Sequence, residues 1–209
     1  VSVLAIAAAA ACHPDDSDDM NGSSGKDSAY TVISDQTYDL EEFLLDFLTD
    51  SPLASSLTDV QKILVAGLLD GYVTGLENEL GISGGELGFR RVTYLYESTD
   101  QYGKKQDLSA MALWLGKLNG RRWKEISPEN ICLMEHYTIT SDAECPSEGF
   151  PFESFINGNS LVIMPDYIGY GISRDEVHPY LHWHSAAQTA VDLLHCMPAL
   201  LAYYGYSYP

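Results

Sequence analysis

The stretch of residues 160–173 most constrains what this chain can fold into. It holds a continuous apolar run, Leu161–Met164, which is typical of a strand covered on both faces in a parallel sheet. The run leads into Asp166 and then into two spaced glycines, Gly169 and Gly171. Glycines let a chain reverse sharply at the carboxyl end of a strand, where open α/β sheets hold their ligands. We therefore expect a buried strand followed by a tight turn at a ligand-binding edge.

Two short polar residues in this turn have a structural interpretation. Asp166 and Ser173 are suited to hydrogen bonding with the backbone of the turn itself. We therefore interpret both, together with the glycines, as scaffold and not as catalytic groups.

Upstream of this stretch, the pattern predicts three further strands and their connections. Val92, Tyr94 and Tyr96 alternate with residues of the opposite face, which is strand periodicity. The predicted segments are this strand from Arg90, a polar turn over Asp100–Lys105, a strand over Leu108–Leu115, a basic loop over Gly116–Pro128 and a short strand over Ile131–Met134 that ends at His136.

Downstream of the turn, the sequence predicts a crossover helix. Ser185 and Gln188 have the spacing of a capping box. The apolar stripe that follows consists of Ala187, Ala190, Val191 and Leu194. Pro198 either kinks this helix or begins a new one. Strands followed by a crossover helix imply an α/β sheet.

Two helices are predicted before the sheet. Asp39 can cap the first, whose apolar face is Leu40, Phe43, Leu44, Phe47 and Leu48. Thr58 and Gln61 form a capping box for the second, and Gly81 supplies its stop. The apolar face predicted for the second helix consists of Val60, Ile63, Leu64, Gly67, Leu68, Tyr72, Leu76 and Leu80.

A family resemblance rests on the segment Ser160–His184, which reads SLVIMPDYIGYGISRDEVHPYLHWH. Its PD-x-x-GYG-x-S element resembles the fourth strand and following turn of the α/β-hydrolases, in particular their secretory-lipase-like branch. Val92–Leu115 is similar to that family's first hairpin, and Ile131–Ser147 to its third strand and oxyanion loop. The resemblance covers about residues 90–200. It implies an incomplete α/β-hydrolase sheet, with early strands and first crossover helices, preceded by a small helical region.

The resemblance also implies a serine nucleophile in a G-x-S-x-G motif between a strand and a helix. Ser83 has the motif letter for letter, but a helix is predicted before it and none after it. Ser207 follows a helix, and Pro209 takes the place of the last glycine. We therefore expect no catalytic residue within the chain, and a nucleophile encoded beyond Pro209. An incomplete sheet has an unpaired edge, so the chain alone is expected to be inactive and prone to aggregate.

What can be carried over from the family is part of an oxyanion hole. Family members often have His-Gly after the third strand, where a backbone N–H stabilises the tetrahedral intermediate. Here Tyr137 follows His136, which keeps the backbone donor but changes the loop. The candidate oxyanion residues are Tyr137 and Thr138, and an ordinary loop is the alternative.

The first residues resemble the end of a secretory signal. Val1–Ala11 is apolar and too short to span a bilayer, and Cys12 follows it directly. We predict lipidation at Cys12, with an incidental cysteine after a plain signal as the alternative. The acidic, Ser/Gly-rich residues that follow are typical of a tether. These features predict secretion across the inner membrane and a lipoprotein of the cell envelope, in the outer membrane.

The predicted organisation has four parts. They are a truncated signal peptide with Cys12 (residues 1–12), a tether (13–37), a helical region (38–89) and the first part of an α/β-hydrolase domain (90–209). The net charge of -19 disfavours nucleic acid and anionic membranes as partners. The lipid anchor is therefore the only membrane contact expected.

Cysteines and histidines give weaker signals. Cys132, Cys145 and Cys196 allow one disulfide with a thiol left over, or three free thiols. His178, His182 and His184 suggest a metal site with Asp175, but the resemblance explains His178 as part of a structural turn. We predict neither a metal nor a cofactor.

Three functions remain open at this stage. The first is an envelope-anchored serine hydrolase acting on a small ester or acyl substrate, and a peptidase of the same fold is the second. The third is a non-catalytic binding lipoprotein, which the fourteen tyrosines favour because aromatic rings contact sugars and peptides.

Overall fold

The computed structural model describes residues 30–50, 56–82, 86–149 and 159–206. Several predictions fall on other residues: the signal peptide of residues 1–12 with Cys12, the first part of the tether, Ser83 and Ser207. Within the described ranges, no helix is both long and apolar enough to span a bilayer.

A mixed sheet organises the described residues. In chain order the elements are β1 (Tyr30–Asp39), α1 (Leu40–Asp50), α2 (Asp59–Leu80), β2 (Leu87–Thr99), β3 (Lys105–Asn119), β4 (Arg122–Glu125), β5 (Asn130–Leu133), β6 (Ser160–Pro165) and α3 (Trp183–Tyr203). The strand order is β1-β2-β3-β6-β5, and β4 pairs with β3. Only β5 and β6 are parallel among the described pairs; the others are antiparallel. The predicted α/β sheet is therefore confirmed.

Each face of the sheet is covered by helices, and strand alternation explains how. Tyr94 and Trp114 lie on the face that packs against α3, through residues such as Met197. Phe89 and Leu113 lie on the other face, against α1 and α2. Strand β6, which is buried from Leu161 onward, is in contact with both layers, as its continuous apolar sequence predicts.

Strand β1 was missed by the sequence analysis, which placed a tether over residues 13–37 and a helical region over 38–89. Residues 30–39 instead form an edge strand that pairs with β2. The strand is half-exposed and polar, so its apolar periodicity is weak. A bidentate ion pair from Arg90 to Asp35 holds it, with nitrogen–oxygen distances of 2.7 Å. Tyr204, at the end of α3, donates to the same carboxylate and lies under the Arg90 guanidinium.

The basic loop predicted over Gly116–Pro128 is also wrong, except for its last three residues. Strand β3 continues to Asn119, and β4 folds back on it as a hairpin with Gly120 in the left-handed conformation. The indole ring of Trp123 packs directly on Gly116, where any side chain would clash with it. Gly116 therefore marks a close contact within a strand, and not the start of a loop.

The predicted ends of the first two helices are confirmed. Asp39 accepts a hydrogen bond from the Glu42 backbone N–H at 2.9 Å. Thr58 and Gln61 form the reciprocal capping box of α2, and Gly81 ends it with φ 65°. The first part of the predicted apolar face of α2 is wrong, because Val60, Ile63, Leu64 and Leu68 are 64–76% exposed. Its last part is confirmed, since Leu76 is buried and Tyr72 and Leu80 pack against the same core cluster. The buried residues of α2 are Val73 and Leu76.

Helix α3 begins before the predicted capping box. His182 is its N-cap, and the His182 ring accepts from the Ser185 backbone N–H at 3.3 Å. Ser185 is therefore inside the first turn, and Gln188 contacts Asp192. The helix continues through Pro198 to Tyr203. The stripe on the sheet is shifted from the predicted one: Val191 is 44% exposed, whereas Leu193 and Met197 are buried.

Candidate active site

The turn after β6 is built around a buried carboxylate. Asp166 is fully buried, and it accepts hydrogen bonds from the Ser109 hydroxyl at 2.5 Å and from the Ser147 backbone N–H at 2.8 Å. Burial raises the pKa of the Asp166 carboxyl, and these two donors oppose the rise. Asp166 therefore joins β3, the loop after β5 and the turn after β6. We had expected it to bond the backbone of its own turn, and this prediction is wrong.

Ser173 does bond the turn's own backbone, as expected. Its hydroxyl accepts from the Gly169 N–H and donates to the Tyr170 carbonyl, both at 3.0 Å. Gly171 has φ 56°, and a side chain there would clash with Ser109 and Asp166. The turn is therefore hydrogen-bonded to itself and closely packed, and its glycines have no room for a Cβ.

The loop after β5 is held by hydrogen bonds from β2 and from this turn. One Arg91 nitrogen donates to the carbonyls of Pro146, Ser147 and Gly149, at 2.6–3.0 Å. The Tyr170 hydroxyl donates to the Ile139 carbonyl at 2.9 Å. The loop that holds the candidate oxyanion residues is thus fixed relative to the end of β6.

His136 lies between the loop and the turn. Its ring packs on Tyr167, with ring centroids 4.7 Å apart. Its Nδ1 lies 2.7 Å from the Tyr137 carbonyl, and its Nε2 lies 3.2 Å from the Asp166 carbonyl. A neutral imidazole has one N–H, so it donates to one of these two oxygens only. His136 therefore connects the loop after β5 to the start of the turn after β6.

A cleft of about 410 Å³ opens where the loop, the turn and the start of α3 meet. The candidate oxyanion residues Tyr137 and Thr138 both line it, and both are exposed. The other aromatic lining residues are Tyr167, Tyr170, Tyr180 and Trp183, with His136, His178 and His182. No Asp, Glu, Lys or Arg is among the lining residues of the described part, although the chain has a net charge of -19. The sequence analysis did not identify this aromatic lining; its only signal was the density of Tyr between residues 167 and 180.

The three histidines that suggested a metal site have other contacts. His178 Nδ1 lies 2.6 Å from the Ile168 carbonyl, which places His178 in the structural turn as the resemblance implies. His182 caps α3, and the His184 ring stacks on Trp183. Among the described residues, no group of three or more metal-binding side chains converges.

The elements before and after Ser83 and Ser207 decide whether either serine could lie in a nucleophile elbow. Ser83 lies between the end of α2 and the start of β2, so a helix precedes it and a strand follows it. Ser207 follows α3, and its preceding residues include Gly205 in the left-handed conformation. A nucleophile elbow needs a strand before and a helix after. The described elements provide this order at neither position.

The three cysteines within the described residues are free thiols: Cys132 is half-buried, and Cys145 and Cys196 are buried. Burial raises the pKa of the Cys145 and Cys196 thiols to about 12. Both are therefore protonated at neutral pH, which makes them poor nucleophiles.

Neither a family model nor a curated protein matches this chain. Among solved structures, the rice cell wall degrading esterase LipA from Xanthomonas oryzae aligns with a TM-score of 0.50 and 16% identity. The alignment covers 84% of this chain and 38% of LipA. The chain has the fold of an α/β-hydrolase.

Two other solved structures are similar at lower scores. A ligand-bound form of LipA aligns with a TM-score of 0.45 and 16% identity, over 84% of this chain and 39% of that one. A candidate hydrolase from Legionella pneumophila aligns with a TM-score of 0.45 and 20% identity, over 58% of this chain and 33% of the other. The chain thus spans 33% to 39% of the length of these two solved structures.

The predicted correspondence with the α/β-hydrolase sheet agrees with the observed strand order. In the resemblance stated from the sequence, the hairpin β2–β3 is similar to the family's first hairpin, β5 to its third strand and β6 to its fourth. Strand β6 lies between β3 and β5, so the loops after β5 and β6 meet at one edge of the sheet. The cleft lies at this edge, next to the carboxyl ends of the two parallel strands.

Proposed function

We propose that this chain is the N-terminal part of a serine hydrolase that cleaves carboxylic esters and is anchored to the cell envelope by a lipid on Cys12. The observation that carries the proposal is the cleft, where the loop with Tyr137 and Thr138 faces the turn after β6. Open α/β sheets bind their substrates at this edge.

In the proposed mechanism, a serine attacks the acyl carbon while a histidine accepts its proton, and an acid orients the histidine. The ester carbonyl becomes an oxyanion, which backbone N–H groups of Tyr137 or Thr138 stabilise. The histidine then protonates the leaving alcohol, and water releases the acid from the acyl-enzyme.

The nucleophile is proposed to lie in sequence beyond these 209 residues. Among the described strands, β5 has one partner, β6. A further parallel strand on the outer edge of β5 would end at the same edge of the sheet as the cleft. The turn after that strand would then bring a serine beside the oxyanion loop.

The lining of the cleft supports an uncharged substrate. Aromatic rings and neutral hydrogen-bonding groups surround it, and carboxylates are missing from the lining of the described part. An ester with uncharged acyl and alcohol groups fits this lining without burying an unpaired charge. Hydrolysis of a peptide bond is the alternative reaction that the sequence does not exclude. The assay therefore compares ester with amide substrates.

The number of residues between Cys12 and the first strand limits how far the domain can lie from the proposed lipid. Seventeen residues separate Cys12 from Tyr30. An extended chain of this length spans at most about 60 Å, at roughly 3.5 Å per residue. The proposed lipid would therefore lie at most about 60 Å from Tyr30.

The test is hydrolysis of p-nitrophenyl esters and the matching p-nitroanilides by the full-length protein. Tyr137→Pro removes the backbone N–H and should lower kcat by about 100-fold, the usual effect of losing one oxyanion donor. Tyr137→Ala keeps the N–H and should have a kcat close to that of the wild type. Thr138→Pro applies the same test to the second candidate, and thermal unfolding checks that each variant is folded. Equal kcat values for both proline variants and the wild type would refute the assigned oxyanion loop.

A second function is favoured by the exposed rings at the mouth of the cleft. Tyr137, Tyr180 and Trp183 are 52%, 56% and 70% exposed. Such rings make a contact surface for sugars or peptides, as a non-catalytic binding lipoprotein would need. Full-length protein that binds such ligands, with loss of binding on Trp183→Ala and no ester turnover, would favour this alternative.

A further inference from the structure

The His136 ring lies between two backbone carbonyl oxygens, and its contacts with them differ in length. Its Nδ1 is 2.7 Å from the Tyr137 oxygen, and its Nε2 is 3.2 Å from the Asp166 oxygen. A carbonyl oxygen only accepts hydrogen bonds, so a ring nitrogen without a proton would repel it at the shorter distance. The contact with Tyr137 therefore requires a proton on Nδ1, in the neutral ring as well as in the charged one.

This hydrogen bond fixes the orientation of the peptide group between Tyr137 and Thr138. The described residues contain no cis peptide bond, so the C=O and the N–H of this group point in opposite directions. The Tyr137 C=O points at the His136 ring, which lies on the side of the loop next to Tyr167 and Asp166. The Thr138 N–H therefore points away from the turn after β6.

The Thr138 N–H is also available to a ligand. Thr138 is exposed, and within the described ranges its N–H donates to no protein acceptor. The peptide group between Ile139 and Thr140 differs, because both of its polar groups are bonded. The Tyr170 hydroxyl donates to the Ile139 carbonyl, and the Thr140 N–H donates to the Glu144 carboxylate, both at 2.9 Å. The loop is thus held on both sides of Thr138, and this donor stays open.

The direction of the Thr138 N–H agrees with the place proposed for the nucleophile. The strand that carries the serine would pair with the outer edge of β5, opposite to β6. The turn after that strand would then lie on the side of the loop to which the Thr138 N–H points. The hydrogen bond from His136 has a second effect, because a bonded carbonyl polarises its peptide group and makes the N–H of that group a stronger donor.

We propose that His136 is a positioning residue, whose Nδ1–H bond to the Tyr137 carbonyl aims the Thr138 N–H at the oxyanion. The inference rests on the proposed esterase function and adds to it the side chain that orients one donor. His136 acts through the peptide group, and its own proton is not transferred. Because the oxyanion forms only after the substrate has bound, loss of this orientation should lower kcat and leave KM almost unchanged.

Two amide variants separate the two ring nitrogens. The side-chain nitrogen of asparagine is two bonds from Cβ, as Nδ1 of histidine is, and that of glutamine is three bonds away, as Nε2 is. His136→Asn therefore retains the donor to Tyr137, whereas His136→Gln retains only the donor to Asp166. Both variants lose the ring that packs on Tyr167, so a merely structural role would affect them equally.

The test is hydrolysis of p-nitrophenyl esters by the full-length variants, with thermal unfolding to check that each is folded. His136→Gln should lower kcat by about tenfold or more, up to the roughly 100-fold expected for a lost oxyanion donor. His136→Asn should keep a kcat close to that of the wild type. Equal kcat values for the two variants, or a lower kcat for His136→Asn than for His136→Gln, would overturn the proposal.

A measurement without turnover distinguishes failure of this inference from failure of the proposed function. In full-length protein with ¹⁵N-labelled histidine, the ring signals that disappear in His136→Asn belong to His136. Their ¹⁵N shifts should show a proton on Nδ1, and an unprotonated Nδ1 would overturn the inference even if the protein hydrolyses esters. A protonated Nδ1 without any ester turnover would refute the proposed function, and the role of His136 in it, while the orientation of the peptide group would stand.

Discussion

Glycines occur both in the turn after β6 and along helix α2, and the two sets differ in what surrounds them. At Gly169 and Gly171 a Cβ would clash with the backbone of His178 or with the Asp166 network, and φ is positive at both. At Gly67, Gly71 and Gly75 there is no neighbour and no unusual φ. Glycine in the turn is therefore required by the local structure, whereas glycine in the helix lowers helix stability and has open space beside it in the described part of the chain.

Replacing the turn glycine should have the largest effect on stability. We expect Gly171→Ala to lower the free energy of unfolding by about 3 kcal/mol or more, as left-handed strain of about 1–2 kcal/mol adds to a clash with buried polar atoms. Gly103 is the matched control, since it has φ 79° and open space around its Cα. Gly103→Ala should cost only the strain. Similar losses for the two variants in urea unfolding would show that the crowding around Gly171 is not decisive.

The carboxylate beside that glycine should make the turn sensitive to pH. Burial raises the pKa of Asp166, so the folded chain keeps this proton to a higher pH than the unfolded chain. The free energy of unfolding should therefore fall as the pH rises from the ordinary value of an aspartate through the folded pKa, and then level off. Each pKa unit of difference corresponds to about 1.4 kcal/mol.

Comparison with Asp166→Asn isolates this effect, because the variant has no proton to release at that position. The difference in unfolding free energy between wild type and variant should shrink as the pH rises through this window. Asp175→Asn, at an exposed carboxyl of the same turn, serves as the control. If the difference in unfolding free energy does not change with pH, burial does not raise the pKa of Asp166.

The smallest effect, and the opposite sign, is expected in α2. Gly67→Ala should raise the free energy of unfolding by about 0.5–1 kcal/mol, through helix propensity alone. Circular dichroism melting at low protein concentration measures it. A destabilised Gly67→Ala variant would mean that another part of the chain already fills the space beside this glycine.

The same comparison shows which parts of the fold could be predicted from the sequence. The strand β6 and its turn were predictable because burial on both faces requires an unbroken apolar run, and because the reversal requires glycine. The capping box at Thr58 was equally local. Which residues of α2 are buried was not predictable, because the apolar period of the helix is the same whether that face packs inward or stays exposed.

Other features depend on contacts between distant residues. Strand β1 is held at the edge by Arg90 and Tyr204, which lie far from it in sequence. Asp166 was expected to bond its own turn, but its partners Ser109 and Ser147 come from β3 and from the loop after β5. The aromatic lining of the cleft likewise assembles residues from three segments, so no local pattern could predict it.

The most direct measurement is the reaction of the full-length protein with a fluorophosphonate, followed by peptide mass spectrometry. A serine hydrolase should gain one adduct, on a serine in a strand–G-x-S-x-G–helix segment beyond residue 209, and a non-hydrolysable ester analogue should protect it. Absence of an adduct, or an adduct on Ser83 or Ser207, would contradict the proposed assignment of the site.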